Sequence, residues 1–166
     1  TEELTPKTTE GEGTGLTVTS EGISDVAGNV AAGITSDPFK VDLTDPKIAV
    51  TLTGTEGDNG WYKEEDVDVT LDAVDDTAGM PDPAVQYSID GGELITYQDL
   101  FTLSDGIHTL HYETTNEAGR TAEGTQEIKV DTIPPVISQG QIDGDEGDNN
   151  WYTSAVTVHF IATDDS

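Results

Sequence analysis

Nine acid or amide side chains fall in tight groups along this chain and are the candidates for metal ligation. They are Asp42 and Asp45, Asp75 and Asp76, Asn116 and Glu117, and then Asp131, Asp164 and Asp165. Carboxylates and an asparagine carbonyl are hard oxygen donors, and calcium takes six to eight such ligands at flexible geometry. Magnesium fits less well, because it keeps its water and demands an octahedron. Calcium is therefore the expected structural cofactor. Cysteine is absent, and His108 and His111, three apart on a presumed strand, face opposite sides, so zinc is not expected. No Asp-x-Asp-x-Asp-Gly loop with a closing glutamate occurs, which excludes an EF-hand. Catalysis finds no footing: Asp75 and Asp76 are adjacent and point to different sides, and there is no nucleophile–histidine set or phosphate loop.

The wider charge balance agrees with cations as partners. Six basic residues face 34 acidic ones, for a net charge of −28. Nucleic acid and anionic lipid gain neither Coulomb attraction nor counterion release from such a surface. No apolar run approaches membrane-spanning length. Without cysteine, disulfides cannot stabilise the fold, and bound metal is one substitute in a secreted protein.

The elements that must position these acids repeat. Glu56-Gly-Asp-Asn-Gly-Trp-Tyr62 returns as Glu146-Gly-Asp-Asn-Asn-Trp-Tyr152, 90 positions later. Val67, Val69, Leu71 and Ala73 return as Val156, Val158, Phe160 and Ala162, and Val41-Asp42 returns as Val130-Asp131, both offset by 89. Asp25-Val-Ala-Gly-Asn29 has a counterpart in Asn116-Glu-Ala-Gly-Arg120. A period near 89 divides the chain into 1–42, the closing part of one unit; 43–131, a complete unit; and 132–166, the opening part of another. This phase predicts a parent protein longer than the chain.

Period-two alternation predicts strands around Ile48–Leu52, Val67–Ala73, Ala84–Ile89, Leu94–Tyr97, Ile107–Thr115 and Gln126–Val130, separated by Asp, Asn, Gly and Pro turns. Residues 1–14, polar and glycine-rich, are expected to be loose. The fold class is all-β, and about seven short strands in a unit of about 89 residues predict tandem immunoglobulin-like antiparallel β-sandwiches. In that topology the linker Asp42–Asp45, the strand end Asp75-Asp76 and the turn Asn116–Arg120 share one pole, so their oxygens converge. By repetition Asp131, Asp164 and Asp165 gather at the next junction. The recurring Trp61 and Trp151 are read mainly as packing residues, with stacking on a sugar ring as the alternative.

Taken together, these motifs with Tyr87-Ser-Ile-Asp-Gly-Gly92 and Ser104-Asp-Gly-Ile-His-Thr109 resemble the bacterial immunoglobulin-like repeats of large secreted and cell-surface proteins, repetitive adhesins and surface-layer proteins among them. The resemblance covers 43–131 fully and both flanks in part. It implies a non-catalytic spacer outside the cell, whose partners are neighbouring repeats of the same protein, with other copies or a surface glycan as further candidates. It also implies calcium at the junctions between domains. Asn116-Glu-Ala-Gly-Arg120 departs from the Asp-x-Ala-Gly-Asn form seen at Asp25–Asn29, which weakens the case for a cation at that turn. Three alternatives remain open: a carbohydrate-binding accessory module using Trp61 and Trp151, a subunit that polymerises by strand complementation, and acids that serve only as a solvated surface.

Overall fold

The computed structural model describes residues 6–9 and 11–164. Among these the chain is all-β, with thirteen strands, two single-turn 3-10 helices and no α-helix. Among the described residues no helix is long and apolar enough to cross a membrane. The strands are β1 (Gly13–Leu16), β2 (Ile23–Ser24), β3 (Val30–Ala31), β4 (Phe39–Val41), β5 (Lys47–Glu56), β6 (Trp61–Val74), β7 (Val85–Ile89), β8 (Ile95–Thr96), β9 (Phe101–Leu103), β10 (Gly106–Thr115), β11 (Thr121–Val130), β12 (Val136–Asp143) and β13 (Thr157–Thr163).

The strand expectations hold for β5, β7, β8 and β10. β6 begins at Trp61 and β11 at Thr121, each earlier than alternation alone indicated. β9 escapes a period-two reading because three residues contain too little pattern. Part of the stretch expected to be loose, Gly13 and Thr14, belongs to β1.

β5, β6, β11, β10, β7 and β8 hydrogen-bond in that order, with β9 on β6, in one seven-stranded sheet. The chain divides into two compact units. The first comprises Thr1–Val50, Leu71–Gln98 and His111–Thr125. It buries Leu71, Ala73, Val85 and Tyr87, and Tyr97 meets Tyr87 edge-on with ring centroids 6.1 Å apart. In this unit β1 pairs with β4 and β2 with β3, both antiparallel. The second unit comprises Thr51–Thr70, Asp99–Leu110 and Gln126–Ser166. It buries Val67, Val69, Leu103, Leu110, Ile128 and Val130. There β9 lies antiparallel on β6 (Val67 opposite Leu103), while β11 meets the start of β6 in parallel (Val130 beside Tyr62). β12 and β13 form an antiparallel hairpin of their own.

The sequence echo is conformational as well. Each Asp-Asn-Gly/Asn triplet is a single 3-10 turn, at 58–60 and 148–150, and Asn59 and Asn149 both take φ 56°. Asparagine tolerates this left-handed region. Gly57 N–H donates to Trp61 O and Gly147 N–H to Trp151 O, each at 2.7 Å.

Candidate functional site

The turn between β10 and β11 shows how local sequence builds the site. Asn116 Oδ1 accepts from Ala118 N–H (3.0 Å) and Arg120 N–H (2.9 Å). Asp25 Oδ1 accepts from Ala27 N–H (2.9 Å) and Asn29 N–H (2.8 Å) in the matching turn between β2 and β3. One loop is thus built twice. The two differ in where the rest of the side chain goes. Asp25 Oδ2 accepts from Asn29 Nδ2 inside its own loop (2.8 Å). Asn116, only 4% exposed, turns its Nδ2 outward and donates to Asp42 Oδ2 (2.7 Å) and Asp75 Oδ2 (2.9 Å).

The linker, the β6 end and the β10–β11 turn therefore meet at Asn116, within the first unit. The remaining carboxylate oxygens there also have donors. Asp42 Oδ1 accepts from Thr44 N–H (3.1 Å). Asp75 Oδ1 accepts from the N–H groups of Thr77, Ala78 and Gly79 at 3.0, 2.7 and 3.4 Å. Asp45 Oδ1 pairs with Arg120 Nη2 at 2.7 Å. The Asn116 amide, followed by the Ala78 N–H, holds the Asp75 carboxyl below its ordinary pKa.

This donor chemistry bears directly on calcium. An amide N–H₂ group has no lone pair for a cation, and Nδ2 stands between the two carboxylates that an ion would bridge. Its oxygen is already taken by two backbone donors. At Asp42, Asp75 and Asn116 the residues are arranged for an amide bridge and do not fit a calcium ion.

Asp76 and Glu117 line two separate cavities beside this bridge. Asp76 lines a recess of about 120 Å³ with Glu12, Asp45, Lys47 and Asp75, whereas Glu117 borders a different cavity of about 560 Å³ with Lys40 and Asp42. At the next linker Asp131 Oδ1 accepts from Ile133 N–H (3.1 Å), repeating the Asp42–Thr44 turn. Asp164 directly follows β13, and Asp165 lies outside the described residues. Trp61 is half-buried, while Trp151 is 74% exposed.

Sequence reasoning missed Glu12, Thr77, Arg120 and Asp105. Glu12 accepts from Leu43 N–H at 2.8 Å, Thr44 Oγ1 at 2.9 Å and Thr77 Oγ1 at 3.0 Å. The Leu43 N–H and then the Thr44 hydroxyl lower its pKa. Asp105 accepts from Thr132 N–H at 2.7 Å. Leu43 and Thr132 are the same position in successive linkers, and each is gripped by an acid that precedes a glycine. Gly13 and Gly106 take φ 139° and 142°, which side chains avoid, and so aim the preceding acid at the linker. The available signal was the acid–glycine pair at the head of β1 and β10. No family model, curated protein or solved structure matches this chain.

Proposed function

We propose that the chain is a non-catalytic spacer from a bacterial surface or secreted protein, made of tandem immunoglobulin-like β-units whose linkers are clamped by the protein's own side chains. The observation that carries this reading is the Asn116 bridge from Asp42 to Asp75, supported by Glu12, which grips Leu43, Thr44 and Thr77. These bonds tie the linker to the head of β1, the end of β6 and the β10–β11 turn, as a spacer requires. The resemblance to adhesin and surface-layer repeats supplies the extracellular setting, and the curled seven-stranded sheet is compatible with the sandwich.

Calcium enters as a supplement on the other candidate acids, Asp76, Glu117, Asp131, Asp164 and Asp165, with dissociation constants on the order of 10⁻⁴–10⁻³ M. Small-angle scattering and thermal unfolding with calcium and with chelator test the proposal. A clamp made by the chain itself predicts a maximum dimension that chelator leaves unchanged and Asn116→Ala increases. Expansion on chelation alone would make calcium the principal lock, and no response to Asn116→Ala would sink the clamp.

The 74% exposure of Trp151 favours a second reading, a glycan-binding accessory module. Quenching or a blue shift of tryptophan fluorescence by polysaccharide, lost in Trp151→Ala, would support it.

A further inference from the structure

We propose that His111, Glu113 and Glu123 bind a borderline divalent transition-metal ion of the zinc type, on the face of the β10–β11 ladder opposite the core. The three side chains each bring one ligand atom within 4.8 Å of the others, and His111 Nε2 lies 3.6 Å from Glu113 Oε2.

The turn fixes this convergence. Asn116 N–H donates to Arg120 O, and counting outward from that pair sets Tyr112 across from Gly124 and Glu113 across from Glu123. The first of these pairings is seen in the packing: a Cβ on Gly124 would meet the Tyr112 ring at 2.5 Å. His111 precedes Glu113 by two and shares its side of the strand. Thr114 and Asn116, of the other parity, are buried, which leaves the three candidates on the outer face.

Two glutamates directly opposite one another destabilise an antiparallel ladder by like-charge repulsion. A divalent ion between them reverses the sign. The donor set then selects the ion. An imidazole nitrogen with carboxylates suits zinc, nickel or copper, whereas calcium prefers oxygen alone and more of it. Three protein ligands leave one tetrahedral position for water. Ligand atoms about 2.0–2.1 Å from zinc sit roughly 3.3 Å apart, so the partly exposed side chains, now within 4.8 Å of one another, close by up to about 1.5 Å on binding. The expectation against zinc weighed only cysteine and the His108–His111 pair; in this proposal Glu113 and Glu123 supply the other ligands to His111.

Calorimetric titration of the full chain with zinc chloride, in millimolar calcium to occupy the general acidic surface, tests the proposal. One zinc per chain is expected. His111→Ala and Glu123→Gln should each weaken it by at least the roughly 10–100-fold that loss of a mere outer-shell partner costs. His159→Ala, which removes an imidazole paired with Asp143 elsewhere, should leave it unchanged. In the unaltered chain, amide NMR shifts on zinc addition should centre on 111–113 and 121–125, and cobalt should give tetrahedral visible bands. Absence of stoichiometric binding, equal affinity in His111→Ala, or shifts centred on His159 would overturn the assignment.

Discussion

Asn116 Nδ2 lies 2.7 Å from Asp42 Oδ2, so an amide in the turn between β10 and β11 grips the residue that directly follows β4, 74 positions earlier. Because Asn116 is buried, removing it strands two carboxylates and two backbone donors together. Asn116→Ala should cost roughly 2–4 kcal/mol, read from urea unfolding. Asn116→Asp should be more instructive. It places three carboxylates together, so melting should become calcium-dependent where the unaltered chain shows little dependence. Equal calcium responses in both proteins would refute the bridge.

Acid sensitivity should follow the lowered carboxyls. Asp75, Glu12 and Asp25 all sit below their ordinary values, through the Asn116 amide, the Leu43 N–H and the Asn29 amide respectively. A depressed carboxyl stabilises the fold above its unfolded pKa, near 4, and that contribution disappears as pH falls through the folded value. Acid also relieves repulsion among the 34 acidic residues over the same range. The difference between the unaltered chain and Asn116→Ala largely cancels that common effect. It should be constant above about pH 5 and shrink below about pH 4. A difference that grows on acidification would contradict the assignment to Asp75.

Amide exchange can read the linker clamps one by one. Asp105→Ala should accelerate exchange at Thr132, whose N–H it receives at 2.7 Å, and leave Leu43 unaffected. Glu12→Ala should do the reverse. Matching changes at both amides in both variants would mean that the linkers respond to global stability and carry no separate clamp.

Gly124→Ala should destabilise by roughly 1–3 kcal/mol, since the new methyl meets the Tyr112 ring. Tyr112→Phe should not relieve it, because ring carbons as well as the hydroxyl lie at 2.5 Å. Tyr112→Leu should recover part of the loss when combined with Gly124→Ala. Strict additivity in that double variant would place the clash elsewhere.

Strands were legible where alternation was long. Val67 to Ala73 announces β6, and the parity that buries Val67 also buries Leu71 and Ala73. The meeting of the linker, the β6 end and the β10–β11 turn was legible too, but only as Asp42 or Asp45, Asp75 or Asp76, and Asn116 or Glu117; the side-chain bonds choose Asp42, Asp75 and Asn116. The direction of the Asn116 amide was not. Choosing between ion and bridge depends on which atom the loop consumes, and Ala118 and Arg120 take the oxygen. Glu12 was hidden because its reach depends on the φ of 139° at Gly13, within a stretch whose composition reads as loose. Glu113 and Glu123 escaped because strand register sets their pairing, and no sequence spacing announces it.

The twin turns at Asp25 and Asn116 differ at their key atom only by an oxygen in one and a nitrogen in the other. With oxygen the group accepts, and its loop closes on itself through Asn29. With nitrogen it donates, and the same backbone becomes a connector that reaches two other segments. A turn of this kind can be rewired through one side-chain atom while its Oδ1 keeps the same two backbone donors. Hydrolysis of that single amide would turn a connector back into an acceptor and add a negative charge where three segments meet.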